Sequence, residues 1–119
     1  MSKINEIFDI IGAGIKAEGL RQRAIANNVA NLETPGYRRV DVKFQDVLAQ
    51  AMESSDALEL NEVEPEIFQP NVTSLKSNGN DVNLEMEVGE MVKNSLRHKT
   101  YIRLLEKKYQ QIDLAMDVK

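Results

Sequence analysis

The chain has 119 residues, a formal net charge of -4, 42% apolar and only 5% aromatic residues, and a mean hydropathy of -0.40. This bounds it to one small domain (1–119) with a thin core, and such a core predicts that partner surfaces complete the fold. The absence of cysteine excludes disulfides, thiolate metal sites and cysteine nucleophiles; no run approaches the roughly 18 apolar residues of a membrane span, so no transmembrane segment is expected, and the N-terminus lacks the pattern of a cleaved signal peptide.

Residues 1–33 carry a helical pattern. Ile4, Phe8, Ile11, Ile15, Ile25, Val29 and Leu32 fall on one alternating four-three spacing, with polar Glu18 and Gln22 interrupting the seam. Gly12, Gly19 and Ala26 recur every seven residues beside it, a stripe of small residues where another helix could approach closely, or simply a weaker helix. The helix must end before Pro35. Thr34 precedes a proline and is pushed out of the helical region, while Pro35 and Gly36 fit the two central positions of a type II turn leading into Tyr37. Asn27, Asn28 and Asn31 are weak helix formers with paired donors and acceptors, suited to bonding the emerging loop or a neighbouring chain; a fraying helix end would also contain them.

Residues 34–82 hold all three prolines and form an irregular middle. Val40, Val42 and Phe44 alternate with polar residues, predicting a short extended segment. Phe44, Val47, Leu48, Ala51 and Met52 then follow at helical spacing. Residues 53–66 contain six acids and no Lys or Arg, the composition of a solvated loop unless a basic partner orders it. The Ser-, Asn- and Gly-containing stretch to Asn80 is expected to be loop as well.

Residues 83–117 carry the longer helical pattern. Leu84, Val88, Met91, Ser95, His98, Ile102, Leu105, Tyr109, Ile112 and Met116 continue the four-three spacing without a break. Asn83 can cap the first turn, where Glu85 and Glu87 complement the helix dipole. The fold expected is therefore mainly α: long N- and C-terminal helices paired as an antiparallel coiled-coil hairpin, with an irregular middle containing a short extended segment and a short helix. The packing residues expected are the N-terminal seam together with Val88, Met91, Ile102, Leu105, Tyr109 and Ile112, with outer faces completed by other subunits.

No catalytic, cofactor or metal site is expected. Gly12, Gly14 and Ala17 match a dinucleotide-binding spacing, but the Asn-rich segment ending at Pro35 leaves no room for a second strand. Gly79 and Glu85 have calcium-loop spacing with Lys76 at a ligand position, which argues against an ion. The single histidine, His98, shares no pattern with a carboxylate or serine. Lys99, Arg103 and Lys107 share a basic face, yet a pI near 5.0 and the lack of a binding module disfavour nucleic acid.

The run Ala26-Asn27-Asn28-Val29-Ala30-Asn31-Leu32-Glu33-Thr34-Pro35-Gly36-Tyr37-Arg38-Arg39 closely resembles the N-terminal signature of bacterial flagellar axial proteins, the rod, hook and hook-associated family. Residues 37–44, the run Asn80-Asp81-Val82-Asn83-Leu84-Glu85-Met86-Glu87 and the segments Asn94-Ser95-Leu96-Arg97 and Leu104-Leu105 are similar to rod members of that family. The resemblance implies a structural, non-enzymatic rod subunit of the basal body, transmitting torque in the periplasm and exported by the flagellar type III apparatus without a cleaved signal. It also implies its partners: other rod subunits, copies of itself, and MS-ring/export-gate junction proteins at the rod base. A soluble coiled-coil adaptor recognising one partner through the C-terminal helix is the alternative.

Overall fold

The computed structural model describes residues 2–53 and 63–117, with side chains from Asn5 onward at the N-terminal end. Five elements follow in chain order: α1 (Ser2–Ala30), β1 (Asp41–Lys43), α2 (Gln45–Glu53), β2 (Glu66–Phe68) and α3 (Leu84–Asp117). The two long helices lie antiparallel. Phe8 meets Tyr109 at one end, with ring centroids 5.3 Å apart, and Asn28 meets Glu87 at the other.

At 29 and 34 residues, α1 and α3 run about 44 and 51 Å, and the molecule measures 67 × 30 × 15 Å. Its radius of gyration is 18.0 Å, against about 13–14 Å for a compact chain of this length. The mainly helical fold with paired terminal helices is thus the one expected. Past Ala30, residues 31–34 continue as hydrogen-bonded turns, with Leu32 N bonded to Val29 O and Thr34 N to Asn31 O. Asn83 caps α3 by accepting from Met86 N at 3.0 Å.

The apolar core is small and sits to one side of the helix pair. Phe44, at the junction of β1 and α2, is 1% exposed and packs with Ala17 of α1 and Val63, flanked by Ala13, Val47, Leu48 and Ala51. This matches the extended-then-helical expectation for residues 40–52. A second strand, β2, lies where loop was expected; it pairs antiparallel with β1, placing Val42 opposite Ile67. Three residues are too few to show alternation, and Ile67 is itself exposed, so no apolar pattern marks the strand. Most of the acidic run, residues 54–62, and the side chain of Ile4 lie outside the described residues.

Close helix approach occurs at Gly14. A Cβ there would overlap the ring of Tyr101 on α3, whereas Cβ atoms at Gly12 and Gly19 would meet nothing among the described residues. Among the described residues no helix therefore packs on Gly12 or Gly19, while Ala26 borders an open groove between α1 and α3. Gly12→Ala should raise stability by about 0.5–1 kcal/mol through helix propensity, while Gly14→Ala should give no gain and lower it, because the Tyr101 ring must move. Urea denaturation of the two variants against the parent chain checks the opposite signs.

Candidate functional site

Two buried polar clusters join α1 to α3, one around Asn28, which lies off the apolar four-three spacing, and one around Glu18, which interrupts it. The first lies where the chain reverses. Asn28 is fully buried and uses its whole amide: Nδ2 donates to Val40 O and to Glu87 Oε1, both at 2.9 Å, while Oδ1 accepts from Val40 N and Tyr37 Oη, also at 2.9 Å. Asn28 thus bonds the backbone after the turn and the first turns of α3 at once.

Glu87, also fully buried, accepts from Arg39 Nε at 2.7 Å. Burial acts to lower the Arg39 pKa, but the hydrogen bond and charge of Glu87, with Asp41, more than offset it and leave it raised. The guanidinium is therefore held charged beside its carboxylate.

The turn itself has the expected geometry. Tyr37 N bonds Thr34 O, and Gly36 has φ of 75°, so Pro35 and Gly36 occupy the central positions of a type II turn. Asn27 donates to the Tyr37 hydroxyl at 3.0 Å, and Asn31 accepts from Thr34 Oγ1 at 3.1 Å. From the other side, buried Asn80 donates to Asn31 O and Thr34 O, both at 2.8 Å, and Gly36 N bonds Asn78 O at 2.9 Å. Asp81 accepts from Arg39 N and from Arg38 Nε. The Asn-rich run and the segment Asn80–Glu87, distant in sequence, form one joint.

The second cluster lies midway along the helices. Glu18 is 1% exposed; it pairs with Arg21 on its own helix and accepts from Asn94 and Arg97 of α3, the latter at 2.9 Å. Asn94 also donates to the Glu18 carbonyl at 2.7 Å. Among the described residues, every buried side-chain nitrogen and oxygen has a partner.

The seam residues divide into two sets. Ile11 and Ile25 are buried, and Phe8, Ile15, Leu32, Ile102, Leu105 and Ile112 half-buried. Val29, Val88, Met91 and Tyr109 are exposed. Along the first turns of α3 the residues facing α1 are Glu87, Asn94 and Arg97, so Val88 and Met91 flank the contact instead of filling it. With Ile25, Val29, Leu84 and His98 they border an open apolar groove of about 670 Å³ between the helices. Sequence reasoning missed Glu87, Arg39, Asn80, Asp81 and Asn94 as structural residues. A polar residue at an inward position shows in the sequence only as an interruption, as Glu18 did.

Residues 12–38 match the family described as flagella basal body rod protein. Over most of its length the chain is also similar to proteins named "Flagellar basal body rod protein FlgB". The Bacillus subtilis (strain 168) protein is 26% identical, with 82% of each chain covered. The one from Buchnera aphidicola subsp. Acyrthosiphon pisum is 28% identical over 83% of this chain and 85% of its own, and that of Borreliella burgdorferi 24% over 82% and 85%.

Asn28→Asp would set a second carboxylate against Glu87 in a buried site and remove both amide donors. It should cost about 3–5 kcal/mol, whereas Asn27→Asp at an exposed position should stay within about 1 kcal/mol, as read by urea unfolding. The Tyr37 and Tyr101 phenols are both raised above their ordinary value of 10.0, chiefly by burial, with the Glu87 and Glu18 carboxylates respectively adding to it. The folded chain then holds these protons more tightly than the unfolded one. Stability should therefore be unaffected by the two groups below pH 10 and fall as pH rises through the folded values, and Tyr37→Phe should flatten part of that fall.

Proposed function

We infer that this chain, a member of the flagellar basal body rod protein family, is a structural subunit of the bacterial flagellar rod. The observation that carries the reading is an elongated body with apolar side chains left open along both long helices: Val29 on α1 and Leu84, Val88, Met91, Val92 and Leu96 on α3 are 40–60% exposed. A chain that lives alone gains nothing from that arrangement. A subunit whose neighbours cover it buries those side chains on assembly, and interfaces that repeat without closing build a tube.

The finer placement we propose is the proximal rod in the periplasm. Its neighbours there are other rod subunits, copies of the chain and the MS-ring/export-gate junction proteins, and torque passes through the helix contacts. The proposed contact residues are those bordering the groove, with Ile102, Leu105, Tyr109 and Ile112 at the far end of α3. The joint built on Asn27, Asn28, Asn31, Thr34, Pro35, Gly36 and Tyr37 is proposed to hold the two helices in the register that assembly requires. No catalytic step enters this reading, and no helix among the described residues is long and apolar enough to cross a membrane. The adaptor alternative is not favoured, since relatives matched over more than four-fifths of their own length are named basal body rod proteins.

Met91→Glu places a charge in the groove at a position exposed in the single chain. Its folding free energy should change by no more than about 0.5 kcal/mol. Its content in purified basal bodies should fall about tenfold or more, with swimming lost, because an unpaired charge in an apolar contact costs more than a tenfold affinity change requires. Exported and incorporated protein are to be measured separately. Incorporation at the parent level would remove the groove from the assembly surface.

A further inference from the structure

We propose that the acidic cleft beside α2 of one copy docks on the outward basic face of α3 of a second copy, head to tail; this rests on the rod-subunit reading above. Charge along the chain is sharply divided. From Phe44 to Leu75 there are seven carboxylates and no Lys or Arg, whereas from Met91 to Ile112 there are six Lys or Arg and one carboxylate.

The fold turns these two stretches into separate patches. Asp46, Glu53 and Glu66 are exposed around one cleft between α2 and β2. Lys43 also borders it, with its ammonium seated 4.5 Å from the centre of the Phe68 ring. Lys99, Arg103 and Lys107, at four-residue spacing, are exposed on the side of α3 turned away from Asn94 and Tyr101, and hence away from α1. A shallow cleft bordered by His98, Lys99, Ile102, Arg103 and Glu106 runs along that edge.

Among the described residues, the three acids and three bases form no ion pair within the chain. The acidic layer packs on α1 through Phe44 and Ala17, while the basic face points away from α1. A second copy supplies the complement that one copy does not. Because the two patches differ, the contact is heterologous: a docked pair leaves one free patch of each sign, to which further copies can add. Charge complementarity of this kind sets register and speeds encounter more than it adds affinity.

The test uses two full-length variants, Lys99→Glu/Arg103→Glu and Glu53→Lys/Glu66→Lys, each checked for the parent circular dichroism spectrum. The first carries acid on both patches and the second base on both. Sedimentation velocity at low salt should show the parent self-associating and each variant alone weakened by about tenfold or more. An equimolar mixture should recover association, because the acidic α3 of one then meets the basic cleft of the other. About 0.5 M salt should weaken parent and mixture alike. A monomeric parent at low salt, variants that associate like the parent, or a mixture that fails to recover would each overturn the proposal. Parent chain found in basal bodies alongside any of those results would leave the rod reading standing and remove only this contact.

Discussion

Four hydrogen bonds to the side-chain amide of Asn28 hold this fold together. They join the last turns of α1, the strand-like segment after the turn and the first turns of α3. The Arg39–Glu87 pair beside it is buried, so removing either partner strands a charge, which is costlier than losing an ordinary contact. The clustered apolar core among the described residues, by contrast, is Ala17, Phe44 and Val63 with their neighbours. Polar groups at the joint and at Glu18 set the register of the two long helices, because a one-residue slip would leave buried amides and charges without partners.

That division of labour frees the apolar residues for another use. A coiled coil that spent Val29, Val88 and Met91 on its own seam would present a mostly polar exterior. Here those side chains border an open groove, while Glu18, Asn94 and Arg97 occupy the line between the helices. An interaction satisfied within one copy orients the helices, and the surface left over is suited to neighbours. Packing along two helices of tens of ångströms then gives an assembled shaft a stiffness that a small core cannot.

The helices and the turn were legible in the sequence for local reasons. Thr34-Pro35-Gly36 has one comfortable geometry, Asn83 precedes a long periodic run, and Phe44 to Met52 switch from alternate to helical spacing. The contact line was less legible. Apolar periodicity points to Val88 and Met91, but buried partners draw in Glu87 and Asn94 from the neighbouring stripe, and a carboxylate's burial depends on an arginine far away in sequence. Asn27, Asn28 and Asn31 stood out together, and nothing in the sequence set Asn28 apart from the other two. Its burial beside exposed Asn27 is a matter of which way each faces on the helix, and no local signal separates them. Strand β2 was invisible because its pairing with β1 is made by backbone groups and its Ile67 stays in water.

The claim that the polar joint, more than the apolar seam, holds the helices in register is tested most directly by native-state amide exchange on the unassembled chain. Exchange protection reports the free energy of local opening residue by residue. Amides of Ala24–Asn28 and of Val88–Arg97, next to the two polar clusters, should be the most protected, with protection falling steadily toward Phe8 and Ile112, where the Phe8–Tyr109 contact closes the far end. Protection that peaks instead around Phe8 and Leu105–Ile112, with the Asn28–Glu87 end opening first, would contradict it.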